Sequence, residues 1–132
     1  MHHKVLWALQ WLLGLYFISI GVMHLAVPDG LPDPLSWMYD LGDTVHVVAG
    51  VVEILGGLGL ILPALTRVLP ILTPIAAIGL GLVMIGAAAW HASRGEIQSI
   101  AVNLINVAVL AYVAYGRLRL APIEARTVDS AG

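Results

Sequence analysis

The sequence predicts an all-α integral membrane protein, a bundle of four transmembrane helices running up-down-up-down. Three observations predict it. Hydrophobic residues make up 60% of the 132 and charged residues only 11%, with a mean hydropathy of +0.95, so lipid must be the solvent for most of the chain. The apolar residues fall into four runs, each close to the ~20 residues that cross a hydrocarbon core as a helix. The links between the second, third and fourth runs are a few residues long, which makes neighbouring helices antiparallel.

Residues 1–120 are read as the membrane domain and 121–132 as a short polar tail expected to be unstructured. The first span covers about residues 5–27. It exceeds the ~7–15 residues of a signal-peptide apolar region, and no small-x-small cleavage site follows it, so it is expected to stay as a span. His2 and His3 ahead of it are expected to be solvated. Pro28, Gly30, Pro32 and Pro34 then break any helix. Residues 34–39 include Trp37 and Tyr39, types favoured at a membrane interface, and are expected to form a short turn that lids the bundle. The second span, about 43–62, is expected to stop at Pro63. The third, about 68–91, carries Pro70 and Pro74 in its first turns, where proline is tolerated. The fourth runs over about 97–118.

Charge sets the expected orientation. Lys4, Arg67, Arg117, Arg119 and Arg126 fall on one side, and Arg94 alone faces Asp29, Asp33, Asp40, Asp43 and Glu96 on the other. The positive-inside rule then predicts an inner-membrane protein with both termini cytoplasmic and the lid outside. The net charge of -2 and the lack of a basic cluster speak against nucleic acid as a partner. The chain has no cysteine, which excludes disulfides, thiolate metal sites and iron–sulfur clusters, so electron chemistry would need a bound cofactor or a partner chain. The expected partners are the lipid bilayer and either other membrane subunits or further copies of the chain.

Helices in lipid associate through close packing. Gly50, Gly56, Gly57 and Gly59 in the second span, and Gly79, Gly81, Gly86 and residues 87–89 in the third, are expected to supply it. Polar residues recur at helical spacing as well. Asp43, His46, Gly50, Glu53 and Gly57 share one face of the second span, and Gln10, Gly14, Phe17, Gly21 and His24 one face of the first. Gly81, Met84, Ala88 and His91 do the same in the third span, and Ser99, Asn103 and Asn106 in the fourth. The four stripes can face one interior. At ~1.5 Å per residue, His24, His46 and His91 lie within roughly 5 Å of the lid-side boundary, Asn103 roughly 9 Å in, and Glu53 and Asn106 roughly 15 Å in.

Ionisable groups inside a span are costly and are therefore the first functional candidates. The candidate pocket or proton-relay residues are Glu53, His46, His24, Asn103, Asn106 and His91. Glu53 either bonds Asn103 or Asn106 to lock the bundle or serves the pocket. A ring of three imidazoles above a carboxylate suits a proton path, a metal, or the polar end of a pocket for a quinone or isoprenoid lipid. The spacing supplies no helical ligand pair for a metal, and none is assigned. Trp7, Trp11, Trp37 and Trp90 are read as interface-belt residues, and Arg94 and Glu96 as a solvated loop.

The first span closes on Gly21-Val22-Met23-His24-Leu25. The second contains Gly50-Val51-Val52-Glu53-Ile54-Leu55-Gly56-Gly57-Leu58-Gly59-Leu60 and is followed by Pro63, and the third ends on Trp90-His91. Over residues 4–118 this resembles the DoxX-like family of small four-helix membrane proteins, most specifically in the G-x-x-E-x-x-G-G-x-G-L run. Many members of that family have a lysine near the end of the first span, where this chain has His24. The family's named member is a small subunit of a thiosulfate:quinone oxidoreductase, and other relatives join redox-stress complexes or act as assembly factors. The resemblance thus implies the four-helix fold and two functional expectations. One is a membrane subunit serving quinone-linked redox chemistry, in which the convergent stripe has Glu53 exchange protons or hydrogen-bond a carbonyl, His46 and His24 relay protons to the outer surface, and Asn103 and Asn106 orient the head group. The other is a non-catalytic accessory subunit that stabilises a larger membrane complex.

Overall fold

In lipid every backbone polar group must bond within the segment, so each long apolar run becomes a helix. A computed structural model describes residues 1–127 and contains four such helices: α1 (His2–Leu25), α2 (Asp43–Thr66), α3 (Leu72–Ser93) and α4 (Ile97–Tyr115), the last continued by a π-helical turn over Gly116–Leu120. All four are long and apolar enough to span a membrane, and no strand occurs among the described residues. A 3₁₀ helix over Asp33–Asp40 is the lid. The fold is the expected four-helix membrane bundle. Leu12, Leu55, Leu82 and Ile105 are among the many large apolar side chains left on its outside, a surface that suits hydrocarbon rather than water.

The closest approach is between α1 and α2. A Cβ placed on Gly57 would lie 2.7 Å from the carbonyl oxygen of Gly14, and one placed on Gly50 would lie 2.8 Å from that of Gly21. Two glycine pairs, two helical turns apart, thus bring the backbones into direct contact in antiparallel register. Across α2 and α3, Gly56 receives the Leu80 side chain and Gly59 the Ala76 methyl group. Gly79, Gly81 and Gly86 have nothing within 4 Å of where a Cβ would stand, so the packing role expected of them is corrected. The contact is made by Ala76, Ala77 and Leu80, which lie on the inward face of α3. Leu6, Phe17, Leu60, Leu110 and Val113 fill the centre.

Several helix ends differ from expectation. α1 begins at His2 and ends at Leu25. α2 runs through Pro63 to Thr66. Proline has no N–H, so the Gly59 carbonyl loses its partner within the helix, and the Thr73 hydroxyl of α3 donates to it instead at 3.0 Å. That repair across helices allows α2 to continue. α3 then starts at Leu72 rather than near residue 68, because Arg67 (φ 60°) and Leu69 (φ 47°) turn the chain through left-handed conformations. Residues 122–127 of the tail fold back on this turn, with the Arg126 N–H donating to the Arg67 carbonyl at 2.7 Å and Arg67 Nε to the Glu124 carbonyl at 2.9 Å. The remainder of the tail lies outside the described residues. The N-terminus, this tail and the α2–α3 turn thus share one end of the bundle, the terminal end, and the lid and the α3–α4 turn share the other, the lid end.

Candidate functional site

The polar stripes of α1, α3 and α4 meet at the lid end around a cavity of about 390 Å³. Tyr16, Phe17 and His24 wall it from α1, Met84, Trp90 and His91 from α3, and Ser99 and Asn103 from α4, while Trp37 of the lid closes over it. The lining is predominantly apolar and aromatic with a few polar groups, as in small-molecule sites, and the volume falls in their ~300–1,000 Å³ range.

Behind one wall stands a chain of three ionisable side chains. His46 Nε2 lies 2.8 Å from the carbonyl oxygen of Met38. A carbonyl only accepts, so Nε2 carries the proton and, in a neutral ring, Nδ1 carries the lone pair. His24 Nδ1 stands 2.9 Å from that Nδ1 and must therefore donate. His24 Nε2 is then left with a lone pair facing Glu53 Oε2 at 3.6 Å. This is longer than a hydrogen bond, and Glu53 Oε2 is buried without any other partner. A neutral array needs its proton on the carboxyl, and transfer to Nε2 gives an imidazolium–carboxylate pair. His46, His24 and Glu53 are all more than nine-tenths buried.

The structure separates other candidates. His24 lines the cavity, while Glu53 and His46 do not, so Glu53 reaches it through His24. The three imidazoles do not form a ring. Trp37 lies between His24 and His91, its ring centroid 5.9 Å from the first and 4.9 Å from the second, and His91 turns its Nδ1 to Glu96 at 3.2 Å. Asn103 is buried at the cavity wall with its Nδ2 unpartnered, so it does not bond Glu53. Asn106 stands beside the Tyr16 hydroxyl, outside the lining. Among the described residues no group of three His, Cys, Asp or Glu side chains is placed to hold a metal ion.

Trp37 and Trp90, read from the sequence as belt residues, roof the cavity at 6.3 Å from each other. The roof is fastened from outside. Arg94 pairs with Asp40 of the lid and donates from Nε to Glu96 Oε1 at 2.7 Å, its guanidinium 4.7 Å over the Trp90 ring. The loop between α3 and α4 is therefore a latch rather than a free solvated turn. The hydrogen bond from Arg94 holds the Glu96 carboxyl below the usual carboxylate range. A group whose folded pKa is depressed stabilises above its unfolded value and loses that effect as pH falls through the folded one. Protection of the amides of residues 33–40, taken relative to their intrinsic exchange rates, is thus expected to hold at neutral pH and to fall once the pH drops below the ordinary glutamate range, whereas Arg94→Ala lowers it already at neutral pH.

The terminal end holds a second polar group whose connections the sequence does not reveal. Arg117, counted only as an orienting charge, is 4% exposed, and Gln10 is fully buried. Arg117 donates from Nε to Gln10 Oε1 at 2.6 Å, and Gln10 Nε2 donates to the Leu60 carbonyl at 2.7 Å. His3 Nδ1 lies 3.0 Å from Arg117 Nη1, and His2 Nδ1 lies 3.0 Å from the Tyr112 hydroxyl, so neither histidine is simply solvated. Trp7 lies under the Arg117 guanidinium at 5.3 Å, while Trp11 stays on the surface.

The sequence profile of the DoxX-like family matches residues 8–113, which takes in α2 and α3 whole, most of α1 and α4, and every residue of the lid-end cavity. The chain belongs to the DoxX-like family. Comparisons with curated proteins and with solved structures find no match. In this DoxX-like chain the conspicuous Glu53 of the glycine-rich run is thus the inner end of a buried array whose outer end is the lid.

Proposed function

We propose that this DoxX-like protein is a membrane subunit that binds the head group of a quinone-like lipid in the lid-end cavity and exchanges protons with it through His24 and Glu53. The observation that carries the reading is the unpartnered, buried Asn103 Nδ2 at the wall of an apolar, aromatic-roofed cavity that His24 also lines. A buried donor without an acceptor is costly, and a ring carbonyl supplies the acceptor that the protein lacks. A quinone fits these residues, with flat Trp and Tyr faces for its ring, Asn103 for one carbonyl and His24 for a proton. Bound there, it would supply reversible two-electron, two-proton chemistry, with the electrons delivered by a partner subunit.

Asn103 orients the head group, Trp37 and Trp90 exclude water, and His24 holds or passes a proton at Nε2. Glu53 stores the proton, and His46 fixes the His24 tautomer through its bond to Met38. The basic residues of the terminal end support placing that end, with both termini, in the cytoplasm of a cell whose inner membrane holds the chain. The test is a titration of purified protein with a short-chain quinone, read by quenching of tryptophan fluorescence. The expected result is saturable quenching that is lost in Ala87→Trp, which fills the cavity. Quenching that is linear in the wild type, or equal in both proteins, would overturn the reading.

A second reading, a non-catalytic accessory subunit, is favoured by Gly79, exposed on α3 with open space where a Cβ would stand. Such a notch accepts a neighbouring helix. Stoichiometric co-purification with a larger complex, without any bound ligand, would favour it.

A further inference from the structure

Arg117 has three of its possible bonds made and one side open. Its Nε and Nη1 are occupied by Gln10, His3 and the Ala121 carbonyl at 2.9 Å, while Nη2 is buried without a partner. Every partner is neutral or an imidazole, and among the described residues no carboxylate pairs with it. A guanidinium keeps its charge under all ordinary conditions. A buried charge without a counter-charge is costly enough to demand one.

The same guanidinium lines a cleft of about 430 Å³ at the terminal end. The cleft runs between the α2–α3 turn and the returning tail, and Leu69, Pro70, Ile71, Pro74, Leu118 and Ile123 make its walls apolar. Thr73, also at its wall, spends its hydroxyl on Gly59. The chemistry is one-sided: a single fixed cation set in hydrocarbon walls at the edge of the membrane. Nη2 is closed to bulk water, and water would in any case leave the charge uncompensated. An oxyanion carried on an apolar chain answers both features, and phosphate oxygens match the planar donors of arginine.

We infer that this cleft is a binding site for the phosphate head of an anionic phospholipid, with Arg117 as the anchoring residue and the walls of the cleft holding the start of an acyl chain. The site lies at the opposite end of the bundle from the lid cavity and does not depend on the function proposed for that cavity. Exposed Arg119 and Arg126 near the same end add attraction for an anionic leaflet. Arg117 differs from them in being preorganised, held by Gln10 and stacked on Trp7.

The test is native mass spectrometry of the protein in detergent with phosphatidylglycerol, phosphatidylcholine, oleate or inorganic phosphate added singly. The expected result is one phosphatidylglycerol retained at about tenfold or higher affinity over phosphatidylcholine, whose choline ammonium cancels the phosphate charge and leaves the Arg117 guanidinium without a net counter-charge. Neither oleate nor inorganic phosphate should be retained comparably. Arg117→Met should abolish the preference and Arg119→Gln should leave it. Ala125→Trp fills the cleft while keeping the Arg117 side chain in the sequence, so loss of the lipid there, with thermal unfolding unchanged, separates binding from folding. Equal retention of both phospholipids, preferential retention of oleate or free phosphate, or full binding by Ala125→Trp would each overturn the inference.

Discussion

Gly57→Ala is expected to destabilise the bundle by about 1–3 kcal/mol, the usual range for overpacking a tight contact, and Gly57→Leu to prevent the α1–α2 pair from forming. The added carbon would sit 2.7 Å from the Gly14 carbonyl, 2.8 Å from Ile18 Cγ1 and 3.1 Å from the Ile18 backbone nitrogen. Two of those three atoms are backbone and cannot swing aside, so the helices must separate. Separation also strains the Gly21–Gly50 contact two turns away and the His24–His46 bond beyond it. Reversible unfolding in detergent measures the loss. Gly79→Ala is the control: nothing stands within 4 Å of its Cβ, so the better helix propensity of alanine should leave stability unchanged or slightly raised. Equal losses in both variants would show that close approach at Gly57 is not what holds the pair.

Asn103→Leu is expected to move two measurements in opposite directions. In the ligand-free protein it removes a buried donor that has no partner and replaces it by an apolar group of similar size, which should stabilise by about 1 kcal/mol. In the ligand titration it removes the group that would bond a head-group carbonyl, and affinity should fall about tenfold or more. A purely structural asparagine would do the reverse, losing stability on substitution and leaving affinity alone. Thermal unfolding and the quinone titration, run on the same preparation, distinguish the two cases.

The fold was legible because the bilayer imposes it: four apolar runs with short links leave few arrangements. Helix ends were less so. Pro63 reads locally as a stop, and only the Thr73 hydroxyl of another helix, ten residues on, removes that stop. The glycine stripes were visible, but periodicity alone does not say which stripe meets which. Gly14 and Gly21 do so with Gly57 and Gly50, whereas Gly79 faces outward. At the lid end, helical spacing put His24 and His46 at one depth but Glu53 roughly 10 Å deeper, whereas the structure sets its Oε2 only 3.6 Å from His24 Nε2. Spacing could not place Trp37, which stands on a 3₁₀ segment docked by an ion pair between residues 54 apart, and whose insertion parts His91 from His24. Nor could it find the link between Gln10 and Arg117, which lie 107 residues apart and meet only because α4 returns beside α1.

Photolabelling with an arylazido short-chain quinone tests most directly whether the lid-end cavity is a ligand site. Peptide mass spectrometry should place saturable label on the lid around Trp37 and on Trp90 and His91, with competition by unlabelled quinone and loss in Ala87→Trp. Label spread over the lipid-facing residues of all four helices, without competition, would contradict a ligand site there.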